Sequence, residues 1–336
     1  MKPPKVISPR VFMAIFAFGV VLVGQQDSAA APNGTISFLS DRDSEPPHQG
    51  GATVVYLIEA DGSNERKWLE EPEASFSRVA WSPDGSEVAF HLETDFDIHI
   101  YTMDVRTEKR INVTAHLRNH EFLGPTWSWD GRWLAFSSPQ QRGKRADIYV
   151  MALAGKAAEN LTNRPEEYDG LTDWSPNSSI IAYTSIRSGW GEIYTIDQNR
   201  GEPVNLTNLP ADDLCPSWSP DGKKIAFYSN RQGRQDDIYV MNADGSNVVN
   251  LTNHPSEDRM PAWAPDGRWI AFQSTRAQIW NIYIMDTNGD SQTQLTKHPS
   301  VNSRPSWVDP DSPLSSFIDS QGKLPAVWGH LKSRKR

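Results

Sequence analysis

One thirteen-residue phrase recurs along this chain, and that recurrence limits its fold more than any other feature. It reads WSPDGSEVAFHLE at 81–93, WSWDGRWLAFSSP at 127–139, WSPDGKKIAFYSN at 218–230 and WAPDGRWIAFQST at 263–275. The marker tryptophans stand at 81, 127, 174, 218, 263 and 307, spaced by 46, 47, 44, 45 and 44 residues. Between them a tyrosine recurs at 56, 101, 149, 194, 239 and 283. A Leu-Thr or Val-Thr step follows, ending at Thr114, Thr162, Thr207, Thr252 and Thr296. Three markers in constant order define a real period, and a period of about 45 residues belongs to stacked or radial repeat folds.

Each period reads as four strands. In the copy around Trp218, residues 216–219 form a short first strand and Pro220-Asp221-Gly222 a turn. Pro presets φ for such a turn, Asp bonds its own backbone and Gly accepts positive φ. Residues 224–229 and 237–242 are the second and third strands, 243–246 turn the chain, and 248–252 are the fourth. The central runs Ile225–Tyr228 and Ile238–Met241 are apolar at every position, the mark of strands buried on both faces. A four-stranded antiparallel sheet that packs on both faces is a propeller blade. The chain is therefore expected to be all-β, a six-bladed β-propeller. It opens at residues 35–39 on a second strand, continues through 53–58 and 67–69, and ends its last period on a first strand near Trp307. The ring is expected to close by pairing these N-terminal strands with that C-terminal one. The domain reading is a signal peptide over 1–31, the propeller over 32–312 and a tail over 313–336.

The phrase WSPDG-x-x-IAF, with IY-x-M-x-ADG and LT after it, resembles the TolB-like propeller repeat, a WD40-like family also called PD40. The resemblance covers about residues 35–310. It implies a six-bladed ring, an export route and binding of an envelope protein at the propeller mouth. By the resemblance TolB carries a small α/β domain ahead of its propeller; with only a few residues between the signal and the first strand, that domain is expected to have no counterpart here. The same blades serve many functions, so the fold alone selects none.

The N-terminus carries Lys2, Lys5 and Arg10, an apolar run from Val11 to Val23 and the small residues Ser28-Ala29-Ala30-Ala31, the pattern of a cleavable export signal. An uncleaved anchor is the alternative. The run is short for a bilayer span, and no later stretch is apolar enough for one. Localisation is accordingly expected to be periplasmic or secreted. A net charge of −9 disfavours a nucleic-acid partner. Cys215 is the only cysteine, which excludes an internal disulfide and a zinc-type cysteine pair; it is expected to be a small buried residue. The tail ends Lys332-Ser333-Arg334-Lys335-Arg336, read as a solvated end.

Catalytic signatures are missing from the sequence. There is no G-x-S-x-G, no phosphate-binding G-x-x-x-x-G-K-[ST] and no G-x-G-x-x-G. Asp286–Asp290 resembles the start of a calcium loop, but Lys297 stands where the twelfth-position Glu belongs, so the segment reads as a turn. The sequons at Asn112, Asn160, Asn205 and Asn250 fall on fourth strands and read as products of the repeat. Arg42, Arg187, Arg231 and Arg276 follow second strands, and acids such as Glu192 and Asp237 open third strands; pairing within a blade is their expected purpose.

One constellation follows the Leu-Thr steps. Glu71, His116, Arg164, Leu209, His254 and His298 occupy equivalent loop positions. Around a closed ring His254, His298, Glu71 and His116 are contiguous. Glu71, His116, Arg164, His254 and His298 are therefore the candidate binding residues of a channel mouth, and the three histidines with Glu71 are candidate ligands for a divalent metal. Two functions follow. The first is an exported, non-enzymatic propeller that binds a protein or peptide partner at the channel mouth, needing no cofactor. The alternative is a metal-dependent carbohydrate-active enzyme, a lyase-like propeller using the histidine arc. Because no complete catalytic set can be named, binding is preferred.

Overall fold

The computed structural model describes residues 32–308 apart from 44–52, 72–73, 95–96, 118–120, 140–144, 156, 165, 177 and 234. The expected signal peptide (1–31) and tail (313–336) lie outside the described residues.

Twenty-four strands form six four-stranded antiparallel sheets, and the described residues contain no helix. The first blade holds β1 (Thr35–Ser40), β2 (Val54–Glu59) and β3 (Arg66–Leu69). The second is β4 (Ser75–Trp81), β5 (Glu87–Glu93), β6 (Ile98–Asp104) and β7 (Arg110–Asn112). The third is β8 (Leu123–Trp127), β9 (Trp133–Pro139), β10 (Ala146–Ala152) and β11 (Ala158–Asn160). The fourth is β12 (Asp169–Trp174), β13 (Ile180–Ser185), β14 (Glu192–Asp197) and β15 (Val204–Asn205). The fifth is β16 (Asp213–Trp218), β17 (Lys224–Ser229), β18 (Asp237–Asn242) and β19 (Val249–Asn250). The sixth is β20 (Asp258–Trp263), β21 (Trp269–Ser274), β22 (Asn281–Asp286) and β23 (Thr293–Gln294). The last strand, β24 (Asn302–Val308), joins the first blade in the order β24-β1-β2-β3, with Ile36 opposite Trp307. The ring closes as expected.

Six apolar clusters fill the six gaps between neighbouring blades. The cluster of Ile36, Phe38, Ala271, Ile284 and Trp307 joins the sixth blade to the first. The middle strands supply these contacts from both faces: Ile225, Ala226, Phe227, Ile238 and Met241 are fully buried. Removing one such Phe leaves a cavity that costs about 3–5 kcal/mol. Marker tryptophans also stitch backward, Trp127 Nε1 donating to Ala80 O and Trp307 Nε1 to Ala262 O, each at 3.0 Å.

The repeated Ser-x-Asp-Gly turn has a local cause. Ser219 Oγ donates to Asp221 Oδ1 (2.7 Å) and accepts from the Lys224 amide (2.9 Å), while Gly222 takes φ +68°. The same Ser–Asp bond recurs at Ser128 and Asp130 (2.6 Å), where Trp129 replaces the proline, so the turn survives that exchange. Fourth strands are shorter than expected, β19 spanning two residues. After Asn250 the ladder is continued by a side chain: Thr252 Oγ1 accepts the Ile238 amide at 3.0 Å. First strands begin earlier than expected, because each carries a bulge that hides the pairing beyond it. In β16 the register shifts between Leu214 and Ser217, and Asp213 still pairs with Ser229.

Candidate functional site

Antiparallel order sorts the connections to two ends of the ring. Turns from first to second strands, and from third to fourth, share one end, here the turn mouth. Loops from second to third strands, and from each fourth strand to the next blade, share the other, the loop mouth. The innermost strands β24, β4, β8, β12, β16 and β20 wall the channel between them.

A cavity of about 320 Å³ runs along this channel, lined by residues of all six innermost strands. At the turn mouth it is rimmed by Pro83, Trp129, Pro176, Pro220 and Pro265. Trp129 is 48% exposed, unusual for so large an apolar side chain. Three residues before each marker tryptophan, toward the loop mouth, stands a second tier: Arg78, Gly124, Leu171, Cys215, Met260 and Arg304. Five of these six have left-handed backbone: φ is +58° at Gly124, +54° at Leu171, +56° at Cys215, +54° at Met260 and +53° at Arg304. For a residue with a β-carbon this conformation costs about 1–2 kcal/mol. The bulges impose it and re-aim these side chains, which line the cavity.

The tier is chemically lopsided. Arg304 in the first blade and Arg78 in the second are ring neighbours. Arg304 Nη1 donates to Ser77 O and, at 2.7 Å, to Ser77 Oγ. Arg78 Nη2 donates to Thr172 O at 3.3 Å, two blades away. It gets there by crossing Gly124, where a β-carbon would stand 3.7 Å from Arg78 Cδ and Nη1. Among the described residues no carboxylate lies within ion-pair distance of either guanidinium. The Arg304 side chain keeps solvent exposure yet is surrounded by protein; that burial, then the charge of Arg78, lowers its pKa. His91 lies behind the pair, its Nδ1 accepting the Gly124 amide at 3.1 Å. Burial first, then Arg304 and Arg78, push its pKa down to about 3, so the imidazole is neutral. The opposite arc is Leu171, Cys215 and Met260, with Cys215 Sγ 3.3 Å from Met260 Sδ. Cys215 is buried, as expected, and burial pushes its thiol pKa up. One acid faces the same space. Asp173 accepts the Trp218 amide (2.6 Å) and the Thr126 hydroxyl (3.3 Å), and burial raises its pKa to about 6 against those bonds and Arg78.

The residues singled out from the sequence sit at the other end. None of Glu71, His116, Arg164, His254 and His298 lines the cavity. Glu71 pairs with Arg110 of the second blade. The Arg164 and His254 amides donate to Asp147 Oδ1 (2.6 Å) and Asp237 Oδ1 (3.0 Å), and His254 Nδ1 accepts the Ser256 amide (3.1 Å). His116 and His298 are exposed. Among the described residues no three His, Cys, Asp or Glu side chains gather closely enough to hold a metal ion. The four candidate ligands thus remain separate, one to each loop.

The blade arginines do pair within their blades, but with first-strand acids. Arg231 Nη2 lies 2.8 Å from Asp213 Oδ2, Arg276 Nη2 2.6 Å from Asp258 Oδ2, and Arg187 Nη2 3.1 Å from both oxygens of Asp169. In the first blade Arg42 reaches Asn302 Oδ1 at the first-strand position, at 2.8 Å, and forms an ion pair with Glu65. The third-strand acids expected as their partners serve the fourth strand: Asp237 accepts from Thr252 Oγ1 (3.0 Å) and Asn250 Nδ2 (3.0 Å). The sequon amides are correspondingly occupied, Asn160 and Asn250 also donating to Tyr149 and Tyr239 hydroxyls. At Asp286–Asp290 the Asp286 carboxylate accepts the Asn288 and Asp290 amides, as a turn does.

Sequence reasoning missed Arg78, Arg304 and Asp173. Aligning the six copies on tryptophan exposes them: Arg appears at a position otherwise held by Gly, Leu, Cys and Met, and Asp173 at one otherwise held by Ala, Thr and Ser.

Residues 172–327 match the TolB β-propeller domain family, PD40. An uncharacterized protein of Agrobacterium fabrum is 28% identical over 224 residues, 62% of this chain and 71% of that protein. The Tol-Pal system protein TolB of Francisella tularensis subsp. holarctica is 26% identical over 175 residues, 52% of this chain. The matched part is 39% of that TolB's length. The crystal structure of TolB from Acinetobacter baumannii superposes with a TM-score of 0.68 at 22% identity, covering 82% of this chain and 67% of that one. At that identity the superposition speaks for the fold.

Proposed function

This chain is built of TolB-like propeller repeats, and on that premise we propose that it is an exported, non-enzymatic binding protein that takes a segment of a protein partner into its channel. The cavity of about 320 Å³, walled by all six innermost strands and rimmed by four prolines and Trp129, is the observation that carries this reading. Its volume falls at the small end of ligand sites. The rim offers rigid apolar surface with little side-chain entropy to lose on contact. The turn mouth is preferred because the cavity's lining reaches that rim. Relatives named for the Tol-Pal system make an envelope partner the natural candidate, and the N-terminal signal pattern supports a periplasmic or secreted location. The metal-dependent carbohydrate enzyme is not adopted, because its ligands do not converge.

The test is site-specific crosslinking in envelope extract. A photoreactive residue at position 129 or 265 is expected to capture a defined partner, and unlabelled partner to compete it away. Capture only from positions 254 and 298 moves binding to the loop mouth and overturns the reading, as does capture from neither.

A further inference from the structure

Two like charges neighbour each other in the channel, and among the described residues neither is ion-paired; Asp173 and Glu93 act on them only from beyond ion-pair distance. The blade arginines differ: Arg187, Arg231 and Arg276 are more deeply buried, and each meets a buried Asp. Gathering two guanidiniums in a partly desolvated space is unfavourable, and the lowered pKa of Arg304 records its burial first and that repulsion second. Backbone bonds hold the pair in place. Arg304 is fixed on Ser77 and Arg78 on Thr172, across the gap left by Gly124. Among the described residues their other guanidinium N–H groups meet no protein acceptor. The chain as a whole is acidic, at −9, so this is a local positive site rather than a general attraction for anions.

Building on the channel-binding reading, we infer that Arg78 and Arg304 form a receptor for a peptide carboxylate, the side chain of an Asp or Glu in the segment that enters the channel. Planar guanidiniums match a carboxylate through paired N–H bonds. The facing arc of Leu171, Cys215 and Met260 provides an apolar wall for the neighbouring residue. Neutral His91 behind the pair adds no third cation, and Asp173, whose pKa burial raises to about 6, is not ion-paired with either guanidinium, so an incoming carboxylate still finds two cations open to it. The ligand class is therefore an acidic residue flanked by an apolar one.

The test follows the arginine Nε–Hε resonances of the whole protein during titration at low salt with three probes: acetyl-Leu-Asp-Leu-amide, acetyl-Leu-Asn-Leu-amide and inorganic phosphate. The Asp peptide is expected to shift the Arg78 and Arg304 signals and to bind at least about tenfold more tightly than the Asn peptide. Arg304→Gln and Arg78→Gln are each expected to lose about tenfold for the Asp peptide. Lys223→Gln, on the exposed turn, is expected to lose nothing. A Gln variant that misfolds is recognised by its melting temperature; the Asp-against-Asn comparison on the unaltered protein then decides alone. Equal binding of the two peptides, tighter binding of phosphate, or no shift at either arginine overturns the carboxylate receptor. Equal peptide binding that perturbs Trp129 sinks this inference while leaving channel binding intact, whereas failed crosslinking at 129 and 265 sinks channel binding itself.

Discussion

The arginines of the blades and the arginines of the channel are the same residue put to opposite use. Arg187, Arg231 and Arg276 recur at one repeat position, stack beside the third-strand tyrosine and close on a fully buried Asp. Arg78 and Arg304 break the repeat at a different position and face water and one another. A charge that recurs with its partner belongs to the framework. A charge that appears in two copies of six, without a partner, is available to a ligand.

The sharpest way to break this contrast is to truncate one member of each class. Arg231→Ala strands the Asp213 carboxylate, which has no exposure, and is expected to cost about 3–5 kcal/mol in urea unfolding. Arg304→Ala is expected to change stability by less than about 1 kcal/mol, since it relieves repulsion while losing bonds to Ser77. Equal losses at the two sites would erase the distinction.

A second experiment uses the molecule's own variation. Blades two and three carry Phe76 and Phe122 where blades four to six carry Asp. There the ion pair is replaced by ring contacts, Phe76 with Phe90 at 5.2 Å and Phe122 with Phe136 at 5.8 Å. Well-packed apolar groups often replace a buried ion pair without loss. Combining Asp213→Phe with Arg231→Ala is therefore expected to recover at least about 2 kcal/mol of what Arg231→Ala alone loses.

Acid sharpens the channel side. The His91 imidazole is pushed below its ordinary 6.5 to about 3, so between those values the unfolded chain binds a proton that the folded one refuses. Its contribution is complete above about pH 6.5 and drains away as pH falls toward 3, by up to about 1.4 kcal/mol per pH unit. Asp173 has the opposite sign. Its pKa is raised from 3.8 to about 6, so its contribution is complete below about 4 and is lost as pH rises through 6. Relative to the unaltered protein, His91→Asn is expected to flatten the acid limb of a stability–pH profile, and Asp173→Asn to raise stability above pH 6. An unchanged acid limb in the His91 variant would place that histidine in contact with solvent.

The smallest effect is expected at the rim. Trp129→Ala removes a half-exposed ring from a turn already set by Ser128 and Asp130. It should move stability by no more than about 0.5 kcal/mol while weakening partner capture, readable in the crosslinking yield from position 265.

The blades were legible in the sequence because each marker has one structural task. Trp packs against the preceding blade, the Pro-Asp-Gly phrase and its variants make the turn, and Thr finishes the fourth strand. Ring closure followed from the mismatched ends. The site was less legible. The loop histidines drew attention by residue type, but their position after a Leu-Thr step puts them on the rim, where His254 shapes its own loop. The channel pair was hidden by the bulge. Strand periodicity does not anticipate a left-handed residue in mid-strand, so nothing in the alternation pointed Arg304 inward. Pairing of Arg231 with Asp237 looked natural in sequence, but the first-strand Asp213 is the residue beside it once Asp213 and Ser229 are in register.

The closing strand carries one more consequence. Thr35 and Val308 lie opposite each other, where the turn from a first to a second strand stands in the other five blades. Polypeptide enters and leaves the ring side by side, on the same rim as Trp129. A leash attached to either terminus therefore tethers the disc at the edge of its own opening, and a force drawing the two ends apart opens the weld between β1 and β24 rung by rung, as a zipper parts.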